Sequence, residues 1–133
     1  MTRFVVDAGV VLRLAREELS AAAAHELLAP TLLRSQVLSL LHEDVHGGRL
    51  ARDEGLELLE RASAIRIRLL GDLVLRRNAW RYADELDSAS TYESEYVALT
   101  RLQADALVTL DRELARRVDG IVPTAPFEAL LRP

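Results

Sequence analysis

The stretch RFVVDAGVVLRL, residues 3–14, contains an apolar run that ends abruptly on an acidic residue. Phe4 to Val6 contains only β-favouring residues, a pattern typical of a strand that is buried on both faces of a parallel sheet. Ligands of open parallel sheets bind at the carboxyl ends of the strands, and Asp7 stands at that place. The sequence therefore predicts Asp7 either as the N-cap of a helix from Val10 to Ala15 or as a ligand-binding carboxylate.

The composition indicates one globular domain, residues 1–133. Half of the 133 residues are hydrophobic and 29% are charged, which is a globular balance, and a chain of this length usually forms one domain. The absence of cysteine excludes disulfides, a thiolate nucleophile and a cysteine-based zinc site. Met1 to Arg3 lead straight into a strand and no apolar run reaches membrane-spanning length, so we expect a cytoplasmic protein without a signal peptide or membrane partner.

The order of strand-like and helix-like segments predicts an α/β fold with a central, mostly parallel sheet. Further strands are predicted at 65–70, 106–110 and 121–122, with a short strand or a helix end at 27–29. Helices are predicted at 20–28, 31–46, 49–64, 73–86, 91–103 and 112–118. Helical spacing predicts that these apolar and aromatic side chains face inward: Leu33, Val37, Leu40, Leu41, Leu56, Leu59, Ala62, Trp80 and Tyr82.

Acidic residues follow two of the predicted strands. Asp7 and Asp111 each end a near-continuous apolar run, so we expect both at the same edge of the sheet. Glu93, near the amino end of the helix before the second of these strands, can reach that edge. Mg²⁺ and Mn²⁺ prefer carboxylate oxygens, and metal-assisted phosphodiester hydrolysis uses such a cluster. The alternative is that Asp111 caps its helix and that Ser90 and Glu93 form a capping box.

Four segments resemble successive signatures of PIN domains, in particular the VapC-type toxins of bacterial type II toxin–antitoxin pairs. They are FVVDAG near the start, LLRSQVLSLL after Pro30, ADELDSASTYESEYVALT before the last third, and LVTLDRELA near the end. The resemblance implies a PIN-like three-layer α/β/α domain with endoribonuclease activity. It also implies Mg²⁺ or Mn²⁺ as the cofactor, RNA as the substrate and a cognate antitoxin as a partner. Family members often pair as homodimers, so a homodimer is a further expectation.

Position by position, the resemblance implies that Asp7, Glu93 and Asp111 bind the metal and that Gln36 takes the place of another catalytic acid. That acid is usually Glu, so Gln36 removes a negative charge from a site whose affinity for Mg²⁺ depends on charge. Glu93 stands where Asp is usual, and its side chain is one methylene longer. Thr109 matches the threonine of the T-x-D motif, whose hydroxyl is expected to hold a neighbouring carboxylate or a water on the metal.

Arginine supplies all 17 basic residues, and the net charge of −4 argues against a protein that coats nucleic acid through a general positive field. An RNA contact then requires a local arginine patch or bridging metal ions. Arginine binds phosphate bidentately, although a solvated helix face explains each single residue equally well. The arginines that flank the proposed site in sequence are Arg13, Arg16, Arg34, Arg112 and Arg116.

Two other functions are open at this point. The first is a catalytically weakened PIN domain that acts as a binding module, which the replacement of the usual Glu by Gln36 also fits. In addition, His42, Glu43 and His46 form the H-E-x-x-H signature of zinc metallopeptidases. The glycines at 47–48 end that helix at once and no third zinc ligand is evident, so two exposed histidines near a helix carboxyl end are the simpler explanation.

Overall fold

The computed structural model describes residues 1–133 and contains five strands in one sheet. The strands are β1 (Thr2–Val6), β2 (His25–Pro30), β3 (Arg68–Leu70), β4 (Ala106–Val108) and β5 (Thr124–Ala125). Their order across the sheet is β3-β2-β1-β4-β5, and every neighbouring pair is parallel. The predicted α/β class is confirmed, and the sheet is entirely parallel.

Six α-helices connect and cover these strands. They are α1 (Ala8–Arg16), α2 (Leu32–His46), α3 (Arg52–Ala64), α4 (Leu73–Glu85), α5 (Tyr92–Gln103) and α6 (Arg112–Arg117), and a 3-10 helix follows at Phe127–Leu131. Helices α1, α2 and α3 pack against one another, whereas α5 packs on α4 and on the central strands. The chain runs outward from β1 to β3 and then returns to β4, and right-handed crossovers place the helices of these two parts on opposite faces. The result is a three-layer α/β/α arrangement.

The core lies between these layers and contains 32 buried residues. The central strands supply its most enclosed side chains, and Val5, Leu28 and Leu107 have no exposed surface. Removal of such apolar side chains from water is the main stabilising contribution to a fold of this kind. No helix combines the length and the apolar character needed to cross a membrane.

The centre of the sheet contains the point where the chain changes direction. From β1 the chain passes to β2 on one side, and only much later reaches β4 on the other side. In open parallel sheets, ligands bind in the crevice at the carboxyl ends of such a strand pair. Asp7 directly follows β1, and Asp111 comes shortly after the end of β4. Both predicted acids therefore lie at this edge of the sheet.

The predicted helix at 20–28 is wrong. His25–Pro30 forms β2, which pairs with β1 on one side and with β3 on the other. Alanine favours helices in isolation, but helix propensity is a weak preference that pairing in a buried sheet overrides. The strand alternative at 27–29 is therefore correct, and it underestimates the strand's length.

Smaller corrections concern the last strand and several side chains. The last strand lies at Thr124–Ala125, two residues after the predicted 121–122, and only the end of 65–70 is a strand. Trp80 is 71% exposed, whereas Tyr82 is buried as predicted. Leu40 and Leu56 are also exposed, because the buried arcs of α2 and α3 are narrower than the apolar pattern suggests.

Candidate active site

A cavity of about 490 Å³ lies at the carboxyl ends of β1 and β4. Its wall is formed by the start of α1, one side of α2, the first turns of α5 and the start of α6. Asp7, Gln36, Glu93 and Asp111 all line it. The fold therefore brings the four proposed catalytic positions, which come from four distant segments of the chain, to one cavity.

Asp7 both caps a helix and lines the cavity. Its Oδ1 accepts a hydrogen bond from the backbone N–H of Val10, at 3.1 Å, and its Oδ2 accepts one from the hydroxyl of Thr109. Burial raises the pKa of the Asp7 carboxyl, and the negative charge of Asp111 adds to this effect, while the two hydrogen bonds oppose it. Asp7 is thus a partly desolvated acid with a second acid nearby.

Asp111 is also a helix cap. Its Oδ1 accepts hydrogen bonds from the backbone N–H groups of Glu113, at 3.0 Å, and Leu114, at 3.2 Å. Its own backbone N–H donates to the hydroxyl oxygen of Thr109, at 3.1 Å. Thr109 therefore links the two acids, and Oδ2 of Asp111 makes no hydrogen bond to the protein.

Glu93 is held by an arginine that the sequence reasoning did not single out. Nη1 of Arg117 lies 3.1 Å from Oε1 of Glu93. The expected capping box is absent, because the Ser90 hydroxyl accepts from the N–H of Tyr92 and Glu93 makes no return hydrogen bond. Nothing in the sequence pattern marks Arg117 among 17 arginines, because the pair depends on how α6 packs beside α5.

Gln36 is engaged by a buried tyrosine. The hydroxyl of Tyr96 donates a hydrogen bond of 2.5 Å to Oε1 of Gln36. Burial, followed by the charges of Asp7 and Glu95, raises the pKa of Tyr96 well above its ordinary value. Tyr96 lies in the segment that resembles the third PIN signature, but its contact with α2 could not be deduced from sequence spacing.

The donor set of the cavity suits a hard divalent cation by chemistry, because its charged groups are all carboxylates. However, the structure contains no group of three histidine, cysteine or acidic side chains placed to hold a metal ion. Asp7 and Asp111 stand near each other, Glu93 is paired with Arg117, and the oxygen of Gln36 accepts from a tyrosine. The cavity thus holds four acids: Asp7 and Asp111, which are neighbours, Glu93, which pairs with Arg117, and Glu43, which accepts a hydrogen bond from Ser39.

The flanking arginines differ in whether their guanidinium groups are free to bind phosphate. Arg34 and Arg112 are exposed and make no ion pair or side-chain hydrogen bond in the chain. Arg13, Arg16 and Arg116 each pair with an acidic side chain. None of the five arginines lines the cavity itself. Any contact between these arginines and phosphate would therefore lie outside the cavity.

The H-E-x-x-H segment forms the last turns of α2. The rings of His42 and His46 are exposed and nearly parallel, with centroids 6.3 Å apart. Glu43 accepts a hydrogen bond from Ser39, at 2.7 Å, and lines the acid cavity instead. No third ligand completes a zinc site there, so no structural observation favours the peptidase alternative.

The fold has a counterpart among solved structures. The chain resembles the crystal structure of PAE2754 from Pyrobaculum aerophilum. The two share 21% sequence identity and superpose with a TM-score of 0.73, over 97% of this chain and 92% of the other. No protein-family model and no curated protein matches the chain. The likeness shows a common fold, and the function has to be argued from the cavity.

Proposed function

We propose that this chain is a divalent-metal-dependent endoribonuclease of the PIN-domain type and the toxin of a type II toxin–antitoxin pair. The observation that supports it most is the single cavity lined by Asp7, Gln36, Glu93 and Asp111. An acidic cavity at the switch point of a parallel sheet is a suitable place for a metal-assisted reaction on a phosphodiester. The resemblance of four sequence segments to PIN signatures supplies the substrate class.

Asp7, Glu93 and Asp111 are the residues that would hold Mg²⁺ or Mn²⁺. A divalent cation would supply positive charge for the scissile phosphate and would lower the pKa of a water molecule, so that the water can lose a proton and attack the phosphorus as hydroxide. Thr109 fixes the carboxylate of Asp7 through its hydroxyl. Oε1 of Glu93 is paired with Arg117, so a metal ion would compete with the guanidinium group for that oxygen.

Arg34 and Arg112 are the arginines that we propose for RNA phosphates. Both are exposed and unpaired, and guanidinium groups bind phosphate oxygens bidentately. Because the net charge of the chain is −4, RNA binding would depend on such local groups rather than on a general positive field.

Cleavage of RNA in the presence of Mn²⁺ tests this proposal. Asp111→Asn keeps a helix-capping residue but removes the charge, and should reduce the rate at least about 100-fold, as expected for loss of a metal ligand. Asp119→Asn is the matched control, because Asp119 is exposed and makes no side-chain contact with a charged group. If the parent and Asp111→Asn cleave at the same rate, the nuclease proposal is wrong.

A second candidate is a binding module that has lost most catalytic power. The engagement of the Gln36 oxygen by Tyr96 and of Glu93 by Arg117 favours it, because both contacts engage oxygens that a cation would otherwise use. In this case the parent would bind RNA or a protein partner without cleavage. Gln36→Glu would restore Mn²⁺-dependent cleavage, whereas under the first candidate the parent already cleaves.

The toxin role adds a cognate antitoxin to the proposal, with a segment that inserts near the acidic cavity and blocks access to it. Expression of the chain alone should then arrest bacterial growth, and co-expression of the neighbouring open reading frame should restore it. Expression of Asp111→Asn should be harmless. Growth arrest by Asp111→Asn equal to that by the parent would show a toxicity unrelated to this cavity.

A further inference from the structure

The hydrogen bond between Gln36 and Tyr96 has a definite direction. The Tyr96 hydroxyl oxygen is 2.5 Å from Oε1 of Gln36. Tyr96 is only 3% exposed, and its burial together with the charges of Asp7 and Glu95 raises its pKa. In this arrangement the hydroxyl of Tyr96 donates to the amide oxygen of Gln36.

The amide nitrogen of Gln36 is left without a partner. A primary amide has an acceptor oxygen and an NH₂ group with two donors. Nε2 of Gln36 makes no hydrogen bond, and it is not enclosed, because the only buried side-chain polar atom without a partner is Nδ1 of His25. Gln36 lines the cavity, so its two N–H donors are accessible from a cavity in which every charged group is a carboxylate.

An N–H donor can bind an anionic ligand and cannot coordinate a cation. Cations bind the oxygen of an amide, and one of the two lone pairs of the Gln36 oxygen already accepts from Tyr96. Amide N–H groups bind oxygen acceptors, and the charged oxygens of a phosphate are the strong ones. A glutamate at position 36 would repel such an oxygen, whereas the neutral amide does not.

We propose that Gln36 binds a phosphate oxygen of RNA through Nε2, and that Tyr96 is the positioning residue that fixes the amide in this orientation. The inference rests on the proposed function, since it names a substrate contact in the same cavity. It also assigns Gln36 a different role: Gln36 binds the substrate and is not a weakened substitute for a metal-binding glutamate.

Fluorescence anisotropy with a labelled single-stranded RNA oligonucleotide tests the contact. Ca²⁺ replaces Mg²⁺ in this assay to prevent cleavage, and a gel checks that the RNA stays intact. Gln36→Met keeps the length of the side chain and removes both amide groups. It should weaken binding about tenfold, which corresponds to a lost hydrogen bond to a charged group. Gln103→Met makes the same chemical change at an exposed residue outside the cavity and should bind RNA as tightly as the parent.

Tyr96→Phe tests the positioning role. It keeps the ring but frees the amide to rotate, so RNA binding should weaken about threefold, which is less than for loss of the whole amide. In the Mn²⁺ cleavage assay it should raise KM and leave kcat nearly unchanged. A purely structural role would instead lower the melting temperature without weakening RNA binding by the folded protein, and that result would overturn the role of Tyr96.

The outcomes separate this inference from the proposed activity. If the parent cleaves RNA and Gln36→Met binds it equally well, the contact is wrong and the nuclease stands. If the parent binds RNA in a Gln36-dependent manner without cleavage, the contact stands and the nuclease is wrong. If the parent binds no RNA, both are wrong.

Discussion

The hydroxyl of Thr109 donates a hydrogen bond to the carboxylate of Asp7, a residue 102 positions earlier in the chain. The same hydroxyl accepts from the backbone N–H of Asp111. Because β1 and β4 are neighbours in register, this one side chain sets the relative position of two acids at the ends of both strands. The geometry of the cavity therefore depends on Thr109.

Replacement of Thr109 by valine, which has the same shape, should disturb the site more than the fold. The partly buried carboxylate of Asp7 loses a partner, and its pKa rises further because the Thr109 hydrogen bond lowers it. We expect about tenfold slower Mn²⁺-dependent cleavage and a free energy of unfolding lower by about 1–2 kcal/mol. Thr109→Ser keeps the hydroxyl and should retain most of both properties. Equal losses in the valine and serine variants would contradict the role of the hydroxyl.

Two substitutions of Asp111 separate its capping role from its charge. Asp111→Ala removes the acceptor for the first turn of α6 and should lower the free energy of unfolding by about 1 kcal/mol, whereas Asp111→Asn caps almost as well. Both should lose Mn²⁺ binding, because neither carries a carboxylate. Thermal unfolding and calorimetric titration with Mn²⁺ measure the two effects. Retention of full Mn²⁺ affinity by Asp111→Asn would show that the carboxylate is only a cap.

The raised pKa of Asp7 predicts a pH dependence of stability. A carboxyl whose pKa is higher in the folded than in the unfolded protein favours the folded state when it is protonated. This contribution to the free energy of unfolding is complete below the unfolded pKa, near 3.8. It is lost as the pH rises through the pKa of the folded protein. Asp7→Asn does not titrate. Without divalent metal, the melting temperature of the parent relative to Asp7→Asn should therefore fall as the pH rises above about 4. A relative melting temperature that rises with pH would mean that Asp7 is stabilised as the anion.

Release of Glu93 from its ion pair should strengthen metal binding. In Arg117→Met the carboxylate is free to turn toward Asp7 and Asp111, so Mn²⁺ affinity should rise about two- to fivefold, the equivalent of a partly exposed ion pair. The loss of stability should stay below about 1 kcal/mol, since the side chains are 29% and 40% exposed. Arg116→Met, which breaks the ion pair with Glu113, is the matched control. Unchanged Mn²⁺ affinity in Arg117→Met would contradict the competition between Arg117 and the metal ion for Glu93.

The sequence predicts the neighbouring strands β1 and β4 and the edge of the sheet where the acids meet. The continuous apolar runs before Asp7 and near Asp111 have a direct physical meaning, because strands buried on both faces cannot alternate with polar residues. For His25–Pro30 the sequence favours a helix and offers only a short strand at 27–29 as the alternative, since the alanine-rich approach favours a helix until β1 offers a partner for hydrogen bonding. Local preference therefore failed where long-range pairing decides.

The contacts of the site were beyond the reach of sequence reasoning. The resemblance indicated Gln36 and Glu93, but the partners Tyr96 and Arg117 are set by the way α5 packs beside α2 and α6. Such packing leaves no periodic signal along the chain. The consequence is chemical, because these two partners decide which oxygens of the cavity are available.

Diffraction from a crystal soaked with Mn²⁺ tests the central claim most directly, since the anomalous signal of manganese locates the ion without any assumption about activity. The account predicts a peak within bonding distance of the carboxylate oxygens of Asp7 and Asp111. A manganese peak elsewhere on the molecule, with both carboxylates unliganded at saturating Mn²⁺, would contradict it.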